Sequence, residues 1–276
     1  MRLEHGIIRP ELSDDIYPLD NSIRNKPKAP RPIALYLPKV PEFNLRDSNL
    51  SPDFVESMKT FYDMYQKSAG YKKVDGIISI DTSPLLHTID ILGGEIEVNG
   101  VRFTTKTDPR CDCPQVIYQL EIAADKPAGF VKENRKGLIG DLMIAIMNKA
   151  FSSSPKLYWG PLFQAMITDT TEKHILFSLF NQDAQSGIEA LNAAGRIVAF
   201  DGDYLHINEA NFGGAKSNLF IKETVSQNYD IKSDGSIEKT IVVNYKNPNP
   251  PSDCNLEHGN LCLNAVLRDW VRVYVP

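Results

Sequence analysis

Apolar residues recur along this chain with two different periods, and the pattern predicts alternating helices and strands up to about residue 200. The continuous apolar runs Val74–Ile80 and His174–Phe180 are typical of interior strands. We expect both runs to lie in one sheet. Helical periods flank and separate them, and they predict helices at Ser51–Ser68, Thr82–Leu92, Asn134–Ala150, Pro155–Thr168 and Gln182–Ala194.

The predicted helix ends carry recognisable signals. Ser51 can cap the first of these helices, and Pro52 fits its first helical position. Gly93 and Gly94 follow the second helix, and Gly195 follows the last, as expected where a chain leaves a helix in the left-handed conformation.

The remaining segments have other patterns. Residues 1–50 are rich in proline, so much of this segment is expected to be extended or irregular. Residues 99–130 read as an irregular insertion. After about residue 201 strands dominate, and a turn at 233–236 joins the middle two. The predicted strands are Tyr204–Asn208, Leu219–Tyr229, Ile237–Tyr245 and Val266–Val275.

These elements together predict an α/β fold: a layered α/β/α-like domain with a mixed central sheet over residues 1–200. The β-rich segment 201–276 follows it. The last residues alternate like a strand and then stop without a closing element. We therefore expect the chain to be part of a longer protein.

Composition narrows the function classes. The chain has 276 residues, of which 42% are hydrophobic and 24% charged, as in ordinary globular proteins. A net charge of −5 gives no broad basic field for nucleic acid. No apolar run is long enough to predict a membrane span in this chain.

The four cysteines leave two chemistries open. Cys254 and Cys262 flank a short polar loop that a disulfide would staple. Cys111 and Cys113 are separated by one residue, and such neighbours rarely bridge each other easily because their side chains point apart in extended chain. Zinc is the rival interpretation, although this spacing matches no common finger.

Three charged or glycine-rich clusters are candidate binding sites. The first runs from Arg46 through Asp47 and Asn49 to Asp53, around the predicted helix start at Ser51, where an anion is stabilised. An arginine that merely pairs with Asp47 or Asp53 is the plainer alternative, and the residues alone favour it.

The other two clusters have equally plain alternatives. Lys132–Lys136, with Arg135, opens the long helix and is commonly just a solvated helix end. Asn211–Asn218 contains two glycines and Lys216, which could hold a phosphate. A turn with a bulge before a strand explains this segment about as well.

Several short segments, taken in order, resemble the bacterial domain-of-unknown-function family 4012. The ordered set covers nearly the whole chain. That family is expected to contain extracytoplasmic cell-envelope domains behind an N-terminal membrane helix. The segments are Asp15–Asp20, Leu45–Asn49, Pro52–Phe54, Val74–Ile78 with Asp81, Asn211–Asn218 and Arg268–Pro276.

The chain is also similar, more distantly, to the LytR-CpsA-Psr cell-envelope phosphotransferases. Arg46-Asp47, the Ile77–Gly94 unit and Arg135 fall in the order found in those enzymes. Their reaction moves a glycopolymer from a polyprenyl pyrophosphate to peptidoglycan.

This second resemblance implies roles for individual residues. Arg46 and Asp47 would be catalytic, and Asp47 would also bind a divalent metal such as Mg²⁺. Asn49, Asp53, Arg135, Lys136 and Lys216 would contact the ligand, a polyprenyl pyrophosphate glycan or a cell-wall polymer. Export, which the resemblance also implies, predicts a Cys254–Cys262 disulfide.

Two function classes stay open. One is an envelope enzyme or lipid-linked pyrophosphate binder with phosphotransferase-like chemistry. The other is a non-catalytic extracellular module that binds a glycan or a protein. Convergence of Arg46 and Arg135 on one pocket would favour the first.

Overall fold

The computed structural model of the chain describes residues 1–9, 11–12, 15–37, 39–125, 137–253 and 262–276. Within these ranges, none of the helices is both long and apolar enough to cross a membrane. The helices are Ile16–Ser22 (α1), Arg31–Tyr36 (α2), Phe54–Tyr65 (α3), Ser83–Ile91 (α4), Gln115–Asp125 (α5), Gly137–Ser152 (α6), Pro155–Thr171 (α7) and Gln182–Ala190 (α8).

The strands form two-stranded antiparallel pairs among the described residues. Their bounds are Arg2–Glu4 (β1), Ile7–Arg9 (β2), Gly76–Ile80 (β3), Glu95–Val98 (β4), Val101–Thr104 (β5), Thr107–Asp108 (β6), Cys113–Pro114 (β7), Ile175–Leu179 (β8), His206–Asn208 (β9), Lys222–Ile231 (β10), Ile237–Lys246 (β11) and Arg272–Tyr274 (β12). β1 pairs with β2, β3 with β8, β4 with β5, β6 with β7, β9 with β12, and β10 with β11.

The α/β class is confirmed, and so is the shared sheet of the two apolar runs. β3 and β8 pair in register, with Ile78 opposite Phe177. The finer expectation of a mixed central sheet is wrong for the described residues, because this sheet has two antiparallel strands. The second edge of β3 carries no strand there, and Ile78 and Ile80 are 47% and 59% exposed.

Two helix ends differ from the sequence expectation. Asp53, not Ser51, caps α3, since its carboxylate accepts from the Glu56 amide at 3.2 Å. Helix α8 ends at Ala190, and Asn192 takes the left-handed conformation with φ 53°. Gly195 instead bonds to the start of α3, because its carbonyl accepts from the Phe54 amide at 2.9 Å.

Residues 99–125 are more regular than predicted. They contain β5 and α5, and Phe103 and Val116 from these elements are fully buried in the larger hydrophobic core. That core also includes Phe220 and Leu263, so the segment 201–276 packs against the helices before it. The proposed boundary near residue 200 stays a prediction.

Cys111 and Cys113 form a disulfide inside this core, with their Cα atoms 5.1 Å apart. The expectation that side chains one residue apart point away from each other assumed extended chain. Here Asp112 is left-handed, with φ 54°, and its amide donates to the Asp108 carbonyl at 2.9 Å. The tight turn brings the two sulfur atoms together.

Candidate functional site

Arg46 lies in a short 3₁₀ helix at Leu45–Asp47, and its guanidinium donates to the carboxylate of Asp20. Asp20 is completely buried, whereas the Arg46 side chain is 30% exposed. The guanidinium also lies 5.2 Å from the centre of the Tyr17 ring. The first predicted catalytic residue is therefore held by two residues of the α1 helix.

Asp20 is the centre of a small network. Besides Arg46, it accepts from the Lys26 ammonium at 2.8 Å and from the Leu45 amide at 2.8 Å. Lys26 in turn donates to the Asn44 side chain at 2.9 Å. Buried carboxylates are tolerated in proteins when cations and N–H donors surround them in this way.

The local sequence explains how this network forms. Ile16, Leu19 and Ile23 share one face of the α1 segment, and they belong to a small core with Leu45 and Met64. Asp20 is also on this face, at the helical spacing from Ile16 and Ile23. An acid within an apolar row is a sequence signal for a buried, paired carboxylate, and this signal could have found Asp20, which was not among the predicted site residues.

Asp47 and Asn49 border the network without joining the ion pair. The Asp47 carboxylate accepts from the Asn44 amide at 3.1 Å and is half-buried, and Asn49 is exposed. Mg²⁺ commonly binds one or two carboxylates and takes its other ligands from water and phosphate oxygens. Asp47 fits such a role as a single ligand beside a bound phosphate, and its metal role stays a prediction.

Asp53 already occupies the start of α3. Its carboxylate caps the helix, accepts from Arg196 at 3.2 Å and accepts from the Ile197 amide at 3.1 Å. The positive helix end therefore has an anion of its own. A ligand phosphate at this position would have to displace the Asp53 side chain.

The other predicted ligand residues are distributed as follows. Arg135 and Lys136 lie outside the described residues, so their convergence with Arg46 stays a prediction. Cys254 also lies outside them, and the Cys254–Cys262 bridge stays a prediction for the same reason. Lys216 is described, and its ammonium lies 3.5 Å from the carboxylate of Glu121.

The glycine-rich segment before residue 219 is a compact turn. Asn211 accepts from the Gly213 amide at 2.7 Å and donates to the Ala215 carbonyl at 3.1 Å. A Cβ at Gly213 would lie 2.5 Å from the Val266 carbonyl oxygen, so this position needs glycine. These contacts agree with the turn interpretation of the segment.

One histidine–carboxylate pair joins α4 to α7, and a second joins the end of β3 to the start of β8. His87 Nδ1 lies 2.8 Å from buried Asp169, and His174 Nδ1 lies 2.7 Å from Asp81. The hydrogen bond to Asp81 raises the pKa of His174. Within the described residues, no cluster of three or more His, Cys, Asp or Glu side chains could hold a metal. Each pair joins two elements of the fold.

An aromatic surface was not predicted at all. The rings of Tyr62 and Phe180 lie 4.3 Å apart, and Tyr65 and Tyr71 meet edge to face at 5.4 Å. The hydroxyls of Tyr62 and Tyr71 are 3.1 Å apart, and this bond lowers the pKa of Tyr62 while it raises that of Tyr71. Tyr71 and Phe180 are exposed. We call Tyr62, Tyr65, Tyr71 and Phe180 the aromatic surface.

A cavity lies elsewhere among the described residues, on one face of the β10–β11 hairpin. It has a volume of about 610 Å³, and Ile237, Ile241 and Val275 contribute to its walls. Its polar wall is the ion pair of Asp203 and Lys239, whose charged atoms are 2.8 Å apart. None of the predicted site residues that the structure describes lines it.

Residues 1–108 match the sequence model of a family described as "Protein of unknown function (DUF4012)". The chain is similar to DUF4012 over less than half of its length. The matched part contains the Asp20 network, the aromatic residues of α3, and both strands β4 and β5. Comparison with curated proteins and with solved structures gave no match.

Proposed function

We propose that this chain is a non-catalytic, extracytoplasmic binding domain of the cell envelope and that its ligand is a glycan. The observation that carries the non-catalytic part of the proposal is the pairing of Arg46 with buried Asp20. Of the two function classes left open by the sequence, this pairing favours the second.

The pairing weighs against catalysis on energetic grounds. A transferase that used Arg46 to hold pyrophosphate would have to weaken its bond to Asp20. Removing one partner of a buried ion pair costs about 3–5 kcal/mol of free energy when the other charge is left uncompensated. Lys26 lowers that cost by staying beside Asp20, but the geometry remains that of a structural ion pair.

The aromatic surface supports a glycan as the ligand. Sugar rings present C–H groups on their faces and hydroxyls around their edges, so proteins bind them with aromatic rings and flanking polar side chains. Tyr71 and Phe180 offer exposed rings here, and the polar side chain of Gln66 follows Tyr62 by one helical turn. Tyrosine is suited to such surfaces because it combines an apolar ring with a polar tip.

The proposed location outside the cytoplasm is supported by the cysteines. Disulfides persist in oxidising compartments and are rare in the cytosol. The Cys111–Cys113 disulfide is therefore consistent with export.

A binding experiment tests the glycan assignment. The chain is titrated with soluble peptidoglycan fragments and with a secondary cell-wall polymer, and heat is measured by calorimetry. Tyr71→Ala and Phe180→Ala should each weaken binding by about tenfold, because each removes one stacking ring. Tyr204→Ala is the matched control, since Tyr204 and Tyr71 are both 38% exposed. Equal affinity for all variants and the parent would overturn the glycan site.

Phosphotransfer from a polyprenyl pyrophosphate glycan, with Mg²⁺, is the second candidate. It is favoured by the solvent exposure of Arg46 and by the half-buried Asp47 beside it. If this site is used, Arg46→Ala should weaken pyrophosphate-lipid binding by roughly ten- to a hundred-fold. Release of polyprenyl monophosphate by the parent chain, as the glycan phosphate passes to an acceptor hydroxyl, would replace our proposal with this one if Arg46→Ala abolished the release at unchanged fold.

A further inference from the structure

Helices α6 and α7 carry an extended apolar surface that faces solvent. Six large side chains define it, and we call it the α6–α7 surface. All six are exposed hydrophobic residues: Ile144, Phe151, Trp159, Phe163, Met166 and Ile167.

The surface follows from the helical spacing on both helices. On α7, Trp159, Phe163, Met166 and Ile167 follow the spacing that places residues on one side of a helix. The buried Asp169 lies on another side of the same helix, where it bonds His87 of α4. Helix α7 thus has one side that packs on the fold and a second apolar side that does not.

Helix α6 contributes a shorter row, which also contains the exposed polar residues Asn148 and Ser152. Ile144 and Phe151 are seven residues apart on α6, which places them on one side, whereas Leu142 of the same helix is buried in the larger core. The rings of Phe151 and Trp159 meet at 6.4 Å and join the two apolar stripes.

Charge on this pair of helices is sparse. Between Gly137 and Thr171 the sequence has four charged residues: Asp141, Lys149, Lys156 and Asp169. Three of them bond within the fold, Asp141 to the Asn99 amide, Lys149 to the Glu95 carbonyl and Asp169 to His87. Lys156 is exposed, and it lies three residues before Trp159 on the same side of α7.

We propose that the α6–α7 surface docks onto an anionic lipid bilayer. A patch of this kind marks a site of association, and its chemistry favours lipid over protein. Protein interfaces carry about one hydrogen bond per 100–200 Å², but the polar side chains on the apolar side of α7 are Lys156 and Thr170, and the Thr170 hydroxyl already donates to the Met166 carbonyl. A tryptophan beside a lysine is the arrangement expected at the boundary between acyl chains and headgroups.

Vesicle binding by the full chain tests the proposal. The probes are phosphatidylcholine vesicles with and without phosphatidylglycerol, and binding is followed by co-sedimentation. In a Trp270→Phe background, Trp159 is the one remaining tryptophan of the chain. Its emission should shift to the blue, and lipids brominated on their acyl chains should quench it.

Substitutions test whether vesicle binding requires the α6–α7 surface or any exposed apolar side chain. Phe163→Glu should lower vesicle binding by about tenfold or more, because an apolar contact is replaced by a charge. Ile231→Glu is the matched control at the tip of the β10–β11 hairpin, since Ile231 is 72% and Phe163 67% exposed. Lys156→Gln should remove most of the preference for phosphatidylglycerol, about fivefold for one lysine.

Several outcomes would overturn the proposal. They are an unshifted Trp159 emission with every vesicle, equal binding by Phe163→Glu and the parent, and loss of binding in Ile231→Glu as well. A dimer in sedimentation velocity that Phe163→Glu dissolves, without vesicle binding by the parent, would assign the surface to a second copy instead. Glycan binding at the aromatic surface is measured without vesicles, so either proposal can fail alone.

Discussion

Arg46 and Asp20 are 26 residues apart in the sequence and form an ion pair in which the carboxylate is completely buried. Lys26 and the Leu45 amide complete the surroundings of this carboxylate. The pair joins helix α1 to the loop that precedes α3. Arg46, which the resemblance suggested as catalytic, thus helps to hold α1 against this loop.

This network predicts that substitutions of Asp20 and of Arg46 lower the free energy of unfolding by different amounts. Asp20→Asn should lower the free energy of unfolding by about 3 kcal/mol, since it leaves two cations facing a neutral group. Arg46→Ala should cost less, about 1–2 kcal/mol, because Lys26 still faces Asp20 and Arg46 is partly exposed. Urea denaturation measures both values. Arg24→Ala is the control for a nearby exposed cation and should be neutral within about 0.5 kcal/mol.

An Arg46→Ala protein as stable as the parent would contradict the first prediction. If the two unfolding free energies are equal, Arg46 contributes little to the fold, and a ligand role becomes the better explanation of its position.

The His174–Asp81 pair predicts a pH dependence of stability. Asp81 raises the pKa of His174 above the ordinary value of 6.5, so the folded state retains a proton that the unfolded chain loses. This contribution is fully present below pH 6.5 and declines as the pH rises through the folded-state pKa. Unfolding experiments between about pH 6 and pH 8 measure the decline.

Asp81→Asn should flatten that profile, and Asp230→Asn on the exposed hairpin should leave it unchanged. A parent chain whose stability rises over this range would show that other groups outweigh His174.

The Cys111–Cys113 disulfide is predicted to contribute modestly to stability. It closes a loop of three residues, and the loop-entropy relation gives about 1.5 kcal/mol for so short a loop. The double variant Cys111→Ser/Cys113→Ser should lose about this much in urea denaturation. A reductant should not lower the stability of this double variant through residues 111 and 113, because their disulfide is already absent. If the double variant instead loses more than about 4 kcal/mol of unfolding free energy, packing of the sulfur atoms dominates.

The Cys254–Cys262 bridge is a separate prediction. Peptide mapping by mass spectrometry without reduction should recover one peptide pair that contains both residues. Recovery of both as alkylated free thiols would remove this argument for export.

Local periodicity predicts part of the regular structure, but it misses α1 and α2 in the proline-rich segment and α5 in the predicted insertion. The runs at Val74–Ile80 and His174–Phe180 are recognisable as strands of one sheet because their uninterrupted apolar character requires burial. Helix α7 is recognisable by its spacing and by Pro155 at its start. Such signals come from residues that are close together in the sequence, so they can be recognised without knowledge of the fold.

The candidate site is harder to predict because its partners are remote. Asp20 meets Arg46, and Asp53 meets Arg196, across 26 and 143 residues. The sequence places Asp53 near a helix start but does not show that its own carboxylate fills the cap. In the same way, Tyr62 and Phe180 share a surface only because β8 pairs with β3 beside α3.

The open edge of β3 has a practical consequence for the isolated chain. Within the part of the chain that the structure describes, no strand pairs with this edge, so its backbone next to exposed Ile78 and Ile80 is a template for strand pairing between molecules. Concentrated solutions of residues 1–276 should therefore tend to precipitate through this edge. A single lysine in place of Ile80 would act as a gatekeeper and improve solubility, while the Asp20 network and the aromatic surface keep their side chains.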